Sequence, residues 1–434
     1  MIEAGGIRLD LTATRDFLTE AELDSLAAPV ATAVRELEEG TSPGAEFLGW
    51  LDLPDRITDT ELERIEAEAA RVRGFAQTWV VVGIGGSYLG SRAVIDAMGG
   101  PDADAPEILF SGTGLCSAAL DQVLRRVADR DFGICIISKS GTTLEPALAF
   151  RLLRAELNRS VGAAEAARRI TAITDASRGA LRTLADDEGY RTFVVPDDVG
   201  GRFSVLTPVG LLPLAVAGVD IRALVQGARD MRRACSGTRL QGNPAHLYAA
   251  TRHALYGKGF NTEVSSTFHS RLGLVQEWWK QLFGESEGKG GQGIFPASTV
   301  FTTDLHSLGQ YIQDGRRELQ ETFLVVRKSV PEVVVPLDAD GRDLDGLDYL
   351  AGQPLDAINW KAYEGTRNAH LAGGVPCTTI ELDEVTPANL GGLIYMFEKA
   401  VAVSGRLLGV NPFDQPGVEA YKQEMFRLLG KPTR

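Results

Sequence analysis

Between residues 78 and 196, short apolar runs alternate with helix-like segments, and this alternation constrains the fold more than any other feature of the chain. "TWVVVGIGG" passes into the helical "LGSRAVIDAMGG", and "EILFSG", "FGICIISKS", "RRITAIT" and "RTFVVP" follow. Continuous apolar runs suit strands buried on both faces, and interleaved helices cover those faces. The pattern predicts a parallel, doubly wound α/β sheet. The helical "PVGLLPLAVAGVDIRALVQGARDMRRAC" separates it from a second region. There "FNTEVSST", "ETFLVVRKS", "EVVVPL" and "PCTTIEL" read as strands, with helices at "GLVQEWWKQLFG" and "HSLGQYIQDG", which predicts a second α/β unit. The first 75 residues read mostly as helix, with Pro29 a kink or break and a second, charged helix ending at a glycine. The chain closes with the long apolar "ANLGGLIYMFEKAVAVSGRLLG" and the amphipathic "GVEAYKQEMFRLLG".

Composition narrows the function. The net charge of −14 repels nucleic acid and anionic membranes over long range, so neither is an expected partner. It repels phosphorylated ligands too, so any anion site must be local, built from a few cations and aligned amides. No basic, apolar N-terminal signal and no bilayer-length apolar run is present, and a cytoplasmic location is expected. Cys116, Cys135, Cys235 and Cys377 are widely spaced, which argues against a zinc site or a disulfide framework.

Two loops carry the chemistry. "GIGGSYLG", Gly83 to Gly90, opens a helix after the first strand of the alternation. It fails the dinucleotide fingerprint, because Tyr88 stands at the sixth place, and the next strand ends without a ribose-gripping acid. It is either a loop that approaches a ligand, with Ser87 near a helix start, or a tight turn with no ligand. The second loop, "SKSGTT", ends a strand where doubly wound sheets bind ligands. Ser138, Ser140, Thr142 and Thr143 offer hydroxyls, Lys139 a charge and the following helix its free amides. Capping needs one hydroxyl; four and a lysine suit a cradle for a terminal phosphate.

Six segments, in order, resemble the signatures of the glucose-6-phosphate isomerase family: "GIGGSYLG", "SKSGTT", "VGGRFSVL", "GESEGK", "DLHSLGQYIQDG" and "NPFDQPGVEAYK". The resemblance implies two SIS-type αβα sandwich domains, at 76–210 and 211–405. An N-terminal helical segment, 1–75, precedes them, and a C-terminal helical arm, 406–434, follows. It implies a homodimer whose sites draw on both chains, no cofactor or metal, and interconversion of glucose 6-phosphate and fructose 6-phosphate. The long apolar helix near 388–410 is the expected dimer surface. The phosphate falls to Ser138, Lys139, Ser140 and Thr143, with Ser87 nearby. Glu285 becomes the base at carbon, Lys422 and His306 the ring-opening groups, Arg202 the cation beside the intermediate, and Gln415 the holder of a sugar hydroxyl. His306 belongs to the short-form motif, and His370 is the fallback.

The chemistry is consistent with these roles. Aldose–ketose isomerisation needs a base at carbon, an acid or base at the ring oxygen and positive charge near the oxyanion. Trp278 and Trp279 on the preceding helix are expected to shield Glu285 and raise its pKa from about 4.3 toward neutrality. Glu287 is the competitor for the role of base, but the lysine that follows favours a surface ion pair for it. His246, His253 and His269 receive no role. A non-catalytic sugar-phosphate sensor is the alternative, but it would not need Glu285, His306 and Lys422 together. A nicotinamide-dependent oxidoreductase is disfavoured by the failed fingerprint. Use of mannose 6-phosphate stays open.

Overall fold

The computed structural model describes residues 2–431. It opens not on helix but on a hairpin, β1 (Ile2–Ala4) and β2 (Ile7–Asp10), paired antiparallel. The turn is Gly5–Gly6, both at positive φ, which such two-residue turns require. Helices then run over Glu20–Asp24 and Ala27–Glu38, broken at Ser25–Leu26 with Pro29 accommodated in the first turn of the second, and over Asp59–Arg73, capped by Thr58 and closed at Gly74.

The five predicted strands form one parallel sheet: β3 (Thr78–Val82), β4 (Glu107–Ser111), β5 (Phe132–Ile137), β6 (Ile170–Thr174) and β7 (Arg191–Val194). Their order is β4-β3-β5-β6-β7. After β3 the chain crosses to one side, and after β4 it returns to the other. The loops leaving β3 and β5 therefore diverge and open a crevice at their C-terminal ends.

The second sheet holds β8 (Thr262–Thr267), β9 (Phe295–Val300), β10 (Leu319–Lys328) and β11 (Cys377–Glu384) in the order β1-β2-β11-β10-β8-β9. β8 to β11 pair in parallel, and β2 adds antiparallel to β11. Strand β9, "FPASTV", was not expected from the sequence; it is an edge strand, where Pro296 is tolerated. The expected strand "EVVVPL" is instead an exposed loop, in which Val334 makes only an isolated bridge to Pro354. Both edges of β10, the strand it follows, are already paired, with β8 and β11, so no ladder beside that strand was open to it.

One apolar core runs through both units. At its centre is the helix Pro387–Leu407, buried within the chain from Leu390 to Gly405. It cannot be the expected dimer surface, because its apolar faces are spent on its own chain. Helix Ile221–Ala234 crosses it at glycines. A Cβ on Gly391 would lie 1.9 Å from the Leu224 carbonyl oxygen. Among the described residues no helix is long and apolar enough to cross a membrane.

Gly391→Val should therefore cost at least about 1–3 kcal/mol of stability, read as a lower Tm by circular dichroism. Gly365→Ala, in helix Leu355–Ala372 with nothing within 4 Å of an added Cβ, should hold or raise Tm, because alanine suits a helix interior better than glycine.

Candidate active site

A cleft of about 900 Å³ opens at the crevice between β3 and β5. The two loops named from the sequence form one wall. The helix Gly273–Glu287 and the C-terminal helix Gly417–Leu428 form the others.

The β5 loop is shaped by its own hydroxyls. Ser138, buried at the strand end, accepts from the Gly141 amide at 3.0 Å. Ser140 Oγ accepts from the Thr142 amide at 3.2 Å and from the Thr142 hydroxyl at 3.1 Å. Gly141 has φ +73°, and an added Cβ would lie 2.4 Å from the Leu181 amide nitrogen, so only glycine fits this turn. Thr143 sits at the N-cap of helix Leu144–Val161, yet its hydroxyl makes no cap hydrogen bond. The capping explanation thus fails where it was most plausible, leaving that hydroxyl free for a ligand. Lys139 is ion-paired with Asp197, 2.7 Å away.

The β3 loop is both a tight turn and a cleft wall: Gly85, Gly86 and Ser87 line the cavity. An added Cβ on Gly86 would lie 2.0 Å from the Gly201 carbonyl oxygen. The loop therefore packs on the turn Gly201–Phe203, which delivers Arg202.

Arg202 is 3% exposed. Its Nε donates to Ser286 Oγ at 2.8 Å. Its Nη1 donates to Gln415 Oε1 at 2.9 Å and to Glu285 Oε2 at 3.3 Å. Its Nη2 donates to the carbonyls of Pro412, 2.5 Å, and Asp414, 3.1 Å. Burial lowers its pKa, partly offset by Glu285, but a guanidinium remains protonated regardless. Lys422 lines the cleft and donates to Glu419 at 2.8 Å; that hydrogen bond raises the ammonium above the ordinary lysine value.

Ser87, Ser138, Lys139, Ser140, Thr143, Arg202, Glu285, Gln415 and Lys422 thus line one cleft. The histidines are elsewhere. His306 ends the short turn Thr303–His306, exposed and outside the lining residues. His370 is buried in the second unit against Glu321, Nδ1 to Oε2 2.7 Å. Nor do Trp278 and Trp279 shield Glu285. Both indoles are buried in the core beside Phe397 and Phe283, and the Glu285 side chain is 34% exposed in this chain.

Glu287 departs furthest from expectation. It is fully buried, held by Arg252 at 2.6 and 3.2 Å. Arg252 also donates to Glu263, 2.5 Å, which accepts from the Tyr248 and Thr322 hydroxyls, each at 2.6 Å. Sequence reasoning missed Gln281, which lines the cleft and donates to Glu285 Oε1 at 3.2 Å. Its spacing of four residues before Glu285 on a helix was the available signal.

A family described as Phosphoglucose isomerase matches residues 63–309 and 357–432. The chain belongs to that family. It is 55% identical over 419 residues to the glucose-6-phosphate isomerase of Symbiobacterium thermophilum, covering 95% of this chain and 93% of that protein. It is 50% identical over 434 residues to that of Exiguobacterium sibiricum, covering 98% and 96%. Among solved structures, a hypothetical protein from Thermus thermophilus superimposes with a TM-score of 0.89 at 29% identity, over 98% of this chain and 99% of that one. A glucose-6-phosphate isomerase from Chlamydia trachomatis gives 0.84 at 21%, over 99% and 89%, and shares the fold. The two-sheet architecture is thus that of the family.

Thr143→Ala should change stability by less than about 0.5 kcal/mol, as for a surface change that removes no contact. Thr386→Ala, which removes a hydroxyl accepting from the Asn389 amide at 3.2 Å, should cost the roughly 1 kcal/mol of a working N-cap. Urea midpoints of the two variants make the comparison.

Proposed function

We propose that this cleft interconverts glucose 6-phosphate and fructose 6-phosphate. The observation that carries the reading is the hydrogen-bonded set of Glu285, Arg202 and Gln415 sharing one cleft with the hydroxyl-rich loop at 138–143, in a chain of this family. A sugar-phosphate sensor needs the loop but not a carboxylate held against a buried guanidinium.

The phosphate sits on the amides and hydroxyls of 138–143 at the start of helix Leu144–Val161, where the helix dipole favours an anion. Lys139 exchanges Asp197 for the substrate, and Ser87 flanks it from the β3 loop. Glu285 takes the proton from one sugar carbon and returns it to its neighbour. Arg202, held in place by Ser286, Pro412 and Asp414, turns an Nη1 donor from Glu285 or Gln415 to the enediolate oxygen. Gln415 orients a hydroxyl, and Lys422, paired with Glu419, serves the ring oxygen.

The second ring-opening group is assigned to His306 of the partner subunit. No histidine lines the cleft among the described residues, and this chain's own His306 is exposed outside it. A homodimer satisfies both facts. Its surface is placed on the loop 329–354, which leaves Val330, Leu337, Leu344 and Tyr349 67–79% exposed. Apolar exposure of this kind marks an interface. A cytoplasmic location suits a substrate too polar to cross membranes unaided.

A coupled assay with fructose 6-phosphate tests the reaction itself. Glu285→Gln keeps size but removes the proton acceptor, so turnover should fall by about 10² to 10⁴, with KM little changed. Exchange of the C2 proton with solvent should vanish too. Normal turnover in this variant would remove Glu285 from its role.

Replacing Leu337, Leu344 and Tyr349 together with serine should give a monomer in sedimentation velocity that retains its circular dichroism and loses activity. An active monomer would overturn the shared-site reading.

A further inference from the structure

The helix Gly417–Leu428, which bears Lys422, has no buried residue. Its own packing holds it weakly, so its position over the cleft depends on the segment before it, Asn411 to Gln415. Three contacts grip that segment. Phe413 is buried against Phe203 and Trp50, with centroids 5.5 and 6.3 Å away. Arg202 holds the Pro412 and Asp414 carbonyls and the Gln415 side chain. The third contact is Lys289. Its ammonium donates to the Asn411 carbonyl and lies 2.9 Å from Asp414 Oδ1, with its side chain only 11% exposed.

A buried ring at Phe413 fixes a point but not a direction. Arg202, at 412 and 414–415, and Lys289, at 411 and 414, both contact the chain on either side of that ring, and together they fix the direction in which the segment leaves. It stands two residues beyond the end of helix Gly273–Glu287, in a turn closed by hydrogen bonds between the Lys289 and Gln292 backbones. It does not line the cleft. Its sequence position two residues after Glu287 suggested a surface pair, but Glu287 is committed to Arg252, and Lys289 is free to reach the C-terminal segment.

We propose that Lys289 is a positioning residue for the isomerisation: by holding Asn411 and Asp414 it sets the separation of Glu285 and Lys422 across the cleft. This deepens the preceding reading and rests on its roles for Glu285 and Lys422. Burial lowers the Lys289 ammonium below its ordinary value, and the hydrogen bond to Asp414 opposes that fall.

The test is steady-state kinetics with fructose 6-phosphate on full-length Lys289→Met, Asp414→Ala, their double variant and Lys289→Arg. Misplacement of a catalytic group by about 1 Å costs on the order of 10²-fold, and a loss of that order in kcat is expected for Lys289→Met. KM should barely move, because the loop at 138–143 is untouched. The double variant should lose no more than Lys289→Met, since the two residues act as one unit, and Lys289→Arg should recover most of the activity. Normal kcat in both single variants, losses that multiply in the double, or a rise in KM alone would each overturn the proposal. If Lys289→Met fails to fold, Asp414→Ala carries the comparison, because that side chain is 47% exposed. Amide exchange over 417–428 should then quicken relative to the unaltered protein, and unchanged exchange counts against the proposal. Glu285→Gln is assayed alongside: retained turnover there removes the base assignment, while the exchange result still judges Lys289.

Discussion

The architecture of the cleft depends on one buried guanidinium. Arg202 donates to five acceptors from two separate stretches of chain: Glu285 and Ser286 on one side, Pro412, Asp414 and Gln415 on the other. A charge this deep is tolerated only when its donors are satisfied, and breaking such a set typically costs about 3–5 kcal/mol. The planar fork matters as much as the charge. A lysine has three donors on one nitrogen and could not span a helix end and a returning segment together. The same geometry explains the glycines around it. The Arg202 turn lies so close to the β3 loop that no side chain fits at Gly86.

Two acids on one helix show how position decides chemistry. Glu285 and Glu287 differ by two residues, which turns their side chains about 200° apart on a helix. One faces the cleft and meets Arg202; the other faces the core and meets Arg252. The core acid is held in a closed network in which Glu263 takes hydrogen bonds from Tyr248 and Thr322 and Arg252 bridges both carboxylates. Satisfaction of every polar group, rather than the number of ion pairs, makes that burial tolerable. The network also anchors the end of the helix from which Glu285 projects, so Glu285 extends from a rigid base.

Much of this was legible in the sequence because the signals were local. The period of the apolar runs gave the β3 to β7 sheet, and the loop after β5 announced itself by four hydroxyls and a lysine in six residues. The hairpin β1–β2 was hidden by its brevity, although its Gly-Gly turn and the alternation of Ile7 and Leu9 with Arg8 and Asp10 were readable. The "EVVVPL" run misled because its composition favours strand, while both edges of β10 were taken by strands distant in sequence. Glu287 was misread for the same reason. Nothing near it in sequence announces Arg252, and the lysine two places on turns toward Asp414. Local chemistry is written locally; long-range pairing is not.

The charge of the chain adds a constraint on how the cleft discriminates. A protein of net charge −14 gains little from long-range attraction of a phosphorylated sugar. Lys139 is already neutralised by Asp197, so a substrate that takes its ammonium must displace an anion and gains only the difference. The backbone amides at the helix start and the Thr143 hydroxyl, by contrast, have no internal partner to give up. On the proposed reading, the neutral donors add net attraction to that of the cleft's cations, Lys139, Arg178, Arg202, Lys422 and Lys431. They act over hydrogen-bond distances, where the position of each phosphate oxygen is tested. A site built this way selects by geometry, and its affinity should be set less by salt than that of a site made of exposed lysines.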